Sequence, residues 1–547
     1  MVMKKVIIVF LVSMFIVSTL FILNCVPKKS YDIVIYGGTS AGVVAAVQAA
    51  RMQKSVVLIE PGKHLGGLTS GGLGQTDIGN KKAIGGIARE FYHRVFEHYM
   101  KDESWVQQQR NEYREVKKDW LENQVWWKFE PHVAENIYSD MIREAKVSVV
   151  YGERLDLQNG VQKRGTKITA IRMESGKIFR GKVFIDATYE GDLMAKAGVS
   201  YTVGREANAT YGETLNGVQT QNAIHHQFQD GVDPYVQPGN SDSGLLPNID
   251  PTGPGEEGSG DRRVQAYCFR MCMSDAPGNR VPFAKPAGYD SLQYELLFRN
   301  FEAGETRVPL KIDLMPNHKT DTNNKHGFST DYIGQNYDWP EADYATRDKI
   351  YKKHLLYQQG LMWTLANHPR VPEKIRRKVS RWGLAKDEFT DNGNWPHQLY
   401  IREARRMIGE YMMTEHNCRG ERVAPQPIGL AAYTMDSHNE QRYVSKEGFV
   451  KNEGDVEVGG FPPYPISYQA ITPKASECTN LLVPVCLSAS HIAYGSIRME
   501  PVFMVLGQSA ATAACLAVDG DDVAQNVPYN ALRRRLLEDE QILEWEK

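Results

Sequence analysis

One short stretch constrains this chain more than any other. Tyr31-Asp-Ile-Val-Ile-Tyr-Gly37 is an apolar run closed by glycine, and Gly38-Thr-Ser-Ala-Gly42 comes directly after it. Next come the small-residue run Val43–Arg51 and a second apolar run, Ser55–Glu60, ending in an acid. This is the order of a βαβ unit whose glycine turn presents a helix N-terminus, with free N–H groups and the positive dipole end, to a pyrophosphate. Glu60 lies 18 residues past Gly42, close to the spacing at which an acid reaches ribose hydroxyls. Gly37, Gly38, Thr39, Ser40, Ala41, Gly42 and Glu60 are therefore assigned to a bound dinucleotide. Thr39 takes the place of the middle glycine of G-x-G-x-x-G, so its Cβ alters how the backbone nears the phosphates.

A glycine tract after Glu60 separates a long flavin dinucleotide from a nicotinamide one. Leu65-Gly66-Gly67-Leu68-Thr-Ser-Gly71-Gly72-Leu-Gly74 lets backbone crowd an extended cofactor. A nicotinamide domain more often runs directly into a third βα unit. Further on, Ile168–Met173, a Ser175-Gly176 turn and Lys182–Thr188 read as strand, hairpin and strand, ending at Asp186. That ending is how the first domain of glutathione-reductase-type flavoproteins closes.

With Tyr36–Gly42, Leu65–Gly71, Ile84–Glu90 and Asp186–Asp192, the later segments Gly204–Glu206, Arg402–Arg406, Met435–His438 and Ser488–Pro501 complete a pattern spanning nearly the whole chain. On these residues the chain resembles the FAD-dependent oxidoreductases related to the heterodisulfide reductase flavoprotein and, more distantly, to fumarate-reductase-type flavoproteins. The resemblance implies FAD and redox chemistry and names no substrate. It implies an α/β fold: a discontinuous, glutathione-reductase-type Rossmann-like FAD domain with an inserted α+β substrate or cap domain. Gly66, Gly67, Leu68 and Asp186 join the expected cofactor contacts. The seven cysteines lack the paired spacing of a metal or iron–sulfur site, so no metal is expected.

Near the C-terminus, Arg498-Met-Glu500-Pro501 opens an apolar run of small residues to Val518. Proline at the first helical turn loses nothing by lacking N–H, and the N–H groups after it suit the electron-rich edge of a reduced flavin. Glu500, Val502 and Phe503 are thus expected at the cofactor. The expected FAD domain comprises residues 30–90, 140–215 and 470–530, and residues 91–139 and 216–469 form the substrate or cap region. Within the cap, loops are expected over 231–262 and 313–340 and helices around 341–369 and 400–417. Eight of the nine tryptophans lie between 105 and 395, which fits either stacking on sugar rings or packing of the cap.

The N-terminus reads as a targeting segment, residues 1–25. Lys4-Lys5 precede an uncharged run from Val6 to Leu23, and Cys25 stands after it as in a bacterial lipoprotein box. The expected protein is extracytoplasmic and held at a membrane by lipid on Cys25; an uncleaved anchor and a cleaved, soluble protein are the alternatives. A net charge of −2 and an isoelectric point near 6.7 exclude a basic footprint for nucleic acid.

Dehydrogenation by a flavin needs a base for the proton that leaves with the hydride. His491 and His438 are the candidate bases, and Arg205 is a candidate for binding a substrate carboxyl group. Arg402, Arg405 and Arg406 would share one face of a helix, either binding a carboxylate or pairing with Glu403 and Glu410. Cys268 and Cys272 would sit one turn apart if helical. No second dinucleotide βαβ unit is legible after residue 100, so electrons should enter from a small organic substrate and leave to an unidentified acceptor. That substrate is carbohydrate-derived if the tryptophans stack on sugar rings. The alternative is a surface-anchored ligand- or glycan-binding protein that has kept the fold alone.

Overall fold

The computed structural model describes residues 30–545. The leader and Cys25 lie outside them. Among the described residues seven strands build the main sheet; six of them, β1 (Ser30–Tyr36), β2 (Val56–Glu60), β3 (Ser148–Tyr151), β4 (Val161–Arg164), β5 (Lys167–Arg172) and β6 (Ile178–Asp186), run in the order β3-β2-β1-β6-β5-β4. β1 is parallel to both β2 and β6. Tyr36 is level with Ile59 on one side and Asp186 on the other, so three strands end at the same edge. That edge is where a doubly wound sheet binds its ligand. Alternate β1 side chains supply two cores: Ile33 and Ile35 face one layer, and Val34 and Tyr36 the other.

β6 forks. Its first half pairs antiparallel with β5, while Phe184 and Ile185 pair parallel with the short strand Leu481–Leu482. This fork brings the C-terminal segment onto the first unit. The helix Glu500–Gly520 then packs on α1 (Ser40–Arg51), and a Cβ at Gly507 would stand 2.3 Å from the Ala41 carbonyl oxygen. Only glycine permits that approach. By length and hydropathy this helix could span a membrane, but 89% of its apolar window is buried inside the protein, as a core helix would be.

The inserted region has its own core around a five-stranded antiparallel sheet (Met273–Ser274, Arg280–Val281, Leu310–Met315, Lys319–Asn324 and Gly383–Ala385), with the long helix Tyr344–Asn367 against it. Part of the loop expected over 313–340 is strand. Lys319-Thr-Asp-Thr-Asn-Asn324 has no apolar alternation, yet it is mostly buried because its polar groups are paired. Asp321 takes two bonds from Arg270, and Lys319 reaches Glu130 and Glu388.

The helix expected over 400–417 is absent apart from one turn, Glu415–Cys418. Arg405–Met407 is instead a strand paired with Tyr201–Val203. Successive residues of a strand point to opposite sides, and the three arginines go to different acids: Arg402 to Asp331, Arg405 to Asp192, and Arg406 to Glu206 and Glu403. Cys268 and Cys272 are in extended chain rather than a helix, and both are buried free thiols. The aromatic stretch 105–127 is packing: Trp120, Trp126 and Trp127 are buried, and Trp126 contacts Tyr99, Trp105, Tyr113 and Trp120.

Candidate active site

The glycine turn is built around Thr39. Its hydroxyl donates to the Ala187 carbonyl at 2.7 Å and accepts the Gly42 N–H at 3.3 Å, so it caps α1 and ties it to the end of β6. The residue that departs from the glycine pattern thus serves as the N-cap. The first N–H groups of α1, at Ser40 and Ala41, have no acceptor within the helix and remain for a ligand. Glu60 closes the turn from β2, accepting N–H groups from Gly38 at 2.7 Å and Gly62 at 2.5 Å. Burial pushes its carboxyl up to about 7. A Cβ at Gly38 would lie 2.8 Å from Glu60 Oε2, so the turn and the acid require glycine there.

A cavity of about 450 Å³ opens at this point, lined by Thr39, Glu60, His64, Gly67, Arg154 and His397 among others. Backbone N–H groups and an arginine for phosphate, with an acid for ribose, are the donor set a dinucleotide needs. The residues fit FAD. Leu68 donates its N–H to the Tyr189 hydroxyl at 2.9 Å, and Tyr189 donates to Glu500 at 2.8 Å. Glu500 also accepts from Ser40 at 2.5 Å and Thr69 at 2.9 Å, which locks the start of the C-terminal helix onto the glycine turn.

Two expected contacts change role. Both carboxylate oxygens of Asp186 are spent within the chain, on the Thr188 N–H and hydroxyl and on the Met194 N–H. Asp186 thus shapes the turn after β6. The Phe503 N–H is bonded to the Met499 carbonyl, so Val502 keeps the open backbone donor in that turn. Replacing Glu60 with alanine is expected to weaken FAD binding by about 1–3 kcal/mol, the worth of a charged hydrogen-bond acceptor. FAD affinity in the wild type should rise with pH through about 7, because the ionised carboxylate is the better acceptor. Equilibrium dialysis checks both, and a Glu60→Ala protein that keeps its full FAD would remove this acid from the ribose.

A second, polar cavity of about 150 Å³ adjoins the helix start. Its walls include Asp77, Arg270, Tyr400, Asp436, His438 and Met499. Met499 directly precedes Glu500, so consecutive residues line this cavity and the FAD cradle. His438 Nδ1 lies 2.8 Å from Asp331 Oδ2. Burial alone would raise the Asp331 carboxyl, but Arg402 and His438 outweigh it and hold the group well below the usual carboxylate range. An ionised carboxylate only accepts, so Nδ1 carries the proton and Nε2 the lone pair. Burial and Arg402 together push the His438 imidazolium below its ordinary value, leaving a neutral base near pH 7. Arg270 gives Nε and Nη2 to Asp321, while its buried Nη1 has no hydrogen-bond partner and lies 3.8 Å from Asp77.

His491 and Arg205 stand outside this cavity. The His491 ring is 2% exposed, between Glu403 at 2.9 Å and the Ser437 hydroxyl at 3.0 Å. Ser437 and His438 are neighbours at the end of a strand, one turned to the buried network and the other to the cavity. Arg205 is enclosed by Asp261, Glu440 and Glu453 at 2.5–2.6 Å. Three carboxylates already saturate it, so it has nothing left for a substrate carboxyl group. Sequence reasoning missed Arg270, Asp77, Tyr400 and Asp436, which come from separate loops and strands with no shared spacing.

No curated protein matches the chain. Among solved structures, it is similar to an L-amino acid deaminase from Proteus vulgaris (14% identity, TM-score 0.24, 32% of this chain and 52% of that one). It is also similar to an L-proline dehydrogenase from P. horikoshii (16%, 0.22, 33% and 59%) and a Lactococcus lactis thioredoxin reductase (17%, 0.17, 29% and 35%). The chain thus spans little more than half the length of the first two. A family model described as FAD dependent oxidoreductase matches residues 32–536. The chain belongs to that family of FAD-dependent oxidoreductases.

Proposed function

We propose that this oxidoreductase dehydrogenates a small polyhydroxylated substrate of carbohydrate type in the polar cavity beside Met499. The observation that carries the reading is His438, whose Nδ1 meets Asp331 and which lines a cavity beside the FAD cradle. Bound FAD supplies the hydride acceptor. His438 Nε2 takes the hydroxyl proton while the C–H bond breaks, and Asp331 stabilises the imidazolium that results. Arg270 Nη1 donates and Asp77 accepts, a pair suited to one hydroxyl group. Asp436, Asn323, Asn324 and Tyr433 extend the same polar wall. Anaerobic mixing with sugars, sugar acids, hydroxy acids and amines tests the class. Flavin bleaching by sugars supports it, bleaching by amines alone replaces it, and rapid bleaching by NADH or NADPH overturns the direction of electron flow.

We infer also that the protein works outside the cytoplasm, anchored by lipid on Cys25, and passes its electrons to a quinone, a redox protein or oxygen. The basic start, apolar run and cysteine support this reading. Cys25→Ser should release the protein from membranes or leave the leader uncleaved. A variant with wild-type mature mass that stays membrane-bound would exclude lipidation. Several acyl chains would be needed, since one anchors only marginally.

A further inference from the structure

Three side-chain clusters among the described residues bring histidine and carboxylates within reach of one ion. In the first, Glu130, His132 and Glu388, the Lys319 ammonium already sits 2.8 Å from Glu130 and 2.6 Å from Glu388. The second, Glu403, Glu440 and His491, is sealed in the core, with Arg406 on Glu403 and Ser437 on His491. The third is different. His226, Asp455 and Glu457 each offer a ligand atom within 4.8 Å of the others, and all three line the polar cavity.

Two donors of this third cluster, on Asp455 and His226, are buried and unspent. Asp455 is 3% exposed, and its Oδ2 is buried without a hydrogen-bond partner. His226 Nδ1 is also buried without one. His226 Nε2 lies 3.4 Å from Glu457 Oε1. Leaving a buried carboxylate oxygen unmet is costly, and a cation at this wall would meet it. One imidazole and two carboxylates suit a borderline first-row ion, whereas Mg²⁺ and Ca²⁺ favour oxygen donors throughout.

We propose that His226, Asp455 and Glu457 form a binding site for a divalent transition-metal cation, Zn²⁺ or Mn²⁺, in the wall of the polar cavity. Three protein ligands leave coordination positions open on the cavity side, where hydroxyl groups or water would complete the shell. The site rests on its own donor atoms and does not depend on the substrate reading.

The test uses the full-length, FAD-loaded protein stripped with EDTA and titrated with Zn²⁺ or Mn²⁺ by calorimetry, with bound metal counted by mass spectrometry. One ion per chain is expected. Asp455→Asn, His226→Gln and Glu457→Ala should each weaken binding by at least the roughly 10–100-fold that loss of an outer-shell partner costs. Flavin absorbance and thermal melting report whether each variant is folded. Glu457 is the most exposed of the three, with 44% of its side chain accessible, so its variant is the least prone to misfold. A wild type that takes up no stoichiometric metal, or a folded Glu457→Ala protein with wild-type affinity, overturns the proposal. Both readouts are independent of turnover, so they stand apart from the outcome of the substrate screen.

Discussion

Replacing His438 with asparagine is expected to slow substrate-driven flavin reduction roughly 10²–10⁴-fold, the usual worth of a general base, without emptying the FAD site. Stopped-flow mixing under anaerobic conditions measures it. The wild-type pH profile carries the same assignment. Burial and Arg402 hold the His438 pKa below its ordinary 6.5, so the reduction rate should stay level as pH falls through 6.5 and drop only at lower values. The sign for stability is the same: a histidine with a lowered folded-state pKa supports folding above its unfolded value, and that support is lost as pH falls through the folded one. His491→Asn should act differently, lowering the melting temperature more than the reduction rate, because its ring bridges Glu403 and Ser437 away from the cavity. Unchanged reduction in His438→Asn would take histidine out of the proton transfer and move attention to Tyr400 and Tyr433.

Arg205→Met is expected to destabilise the protein by about 3–5 kcal/mol, the loss seen when one partner of a buried ion network is removed. The reason lies in the acids left behind. Glu440 and Glu453 are fully buried and share the Arg205 guanidinium, whereas Asp261 is also held by Arg263. Adding Glu453→Gln to the variant should restore part of the loss by removing one of the stranded charges. Urea unfolding of the FAD-loaded proteins measures both. A loss under about 1 kcal/mol would mean that Arg205 is dispensable to the fold and would reopen its role as a ligand group.

The parts of this molecule that could be read from sequence are those in which neighbours along the chain do one job together. The run from Tyr31 to Glu60 carries strand, glycine turn, helix and acid in order, and the structure assembles them in that order. The small residues of the Glu500–Gly520 helix, a run visible in the sequence, likewise allow its close packing on α1, where Gly507 meets Ala41. Patterns failed where burial was made tolerable by charge pairing. Lys319–Asn324 looks like a polar loop and is a mostly buried strand because Arg270, Glu130 and Glu388 answer its charges from elsewhere. Arg402, Arg405 and Arg406 have helical spacing, but three separate acids draw them apart.

The choice between the two histidines was beyond any local signal. Both lie in segments that resemble the family. Only tertiary contacts place His491 between Glu403 and Ser437 and turn His438 toward the cavity. The amino-acid order by itself determined the dinucleotide fold, because a βαβ unit is built from residues close in sequence whose backbone hydrogen bonds and apolar faces specify it locally. The wall of the polar cavity was decided by tertiary structure alone. Arg270, Asp77, Tyr400, Asp436 and His438 become one wall only after loops hundreds of residues apart have closed, and the buried charges that steer them leave no periodic trace in the sequence.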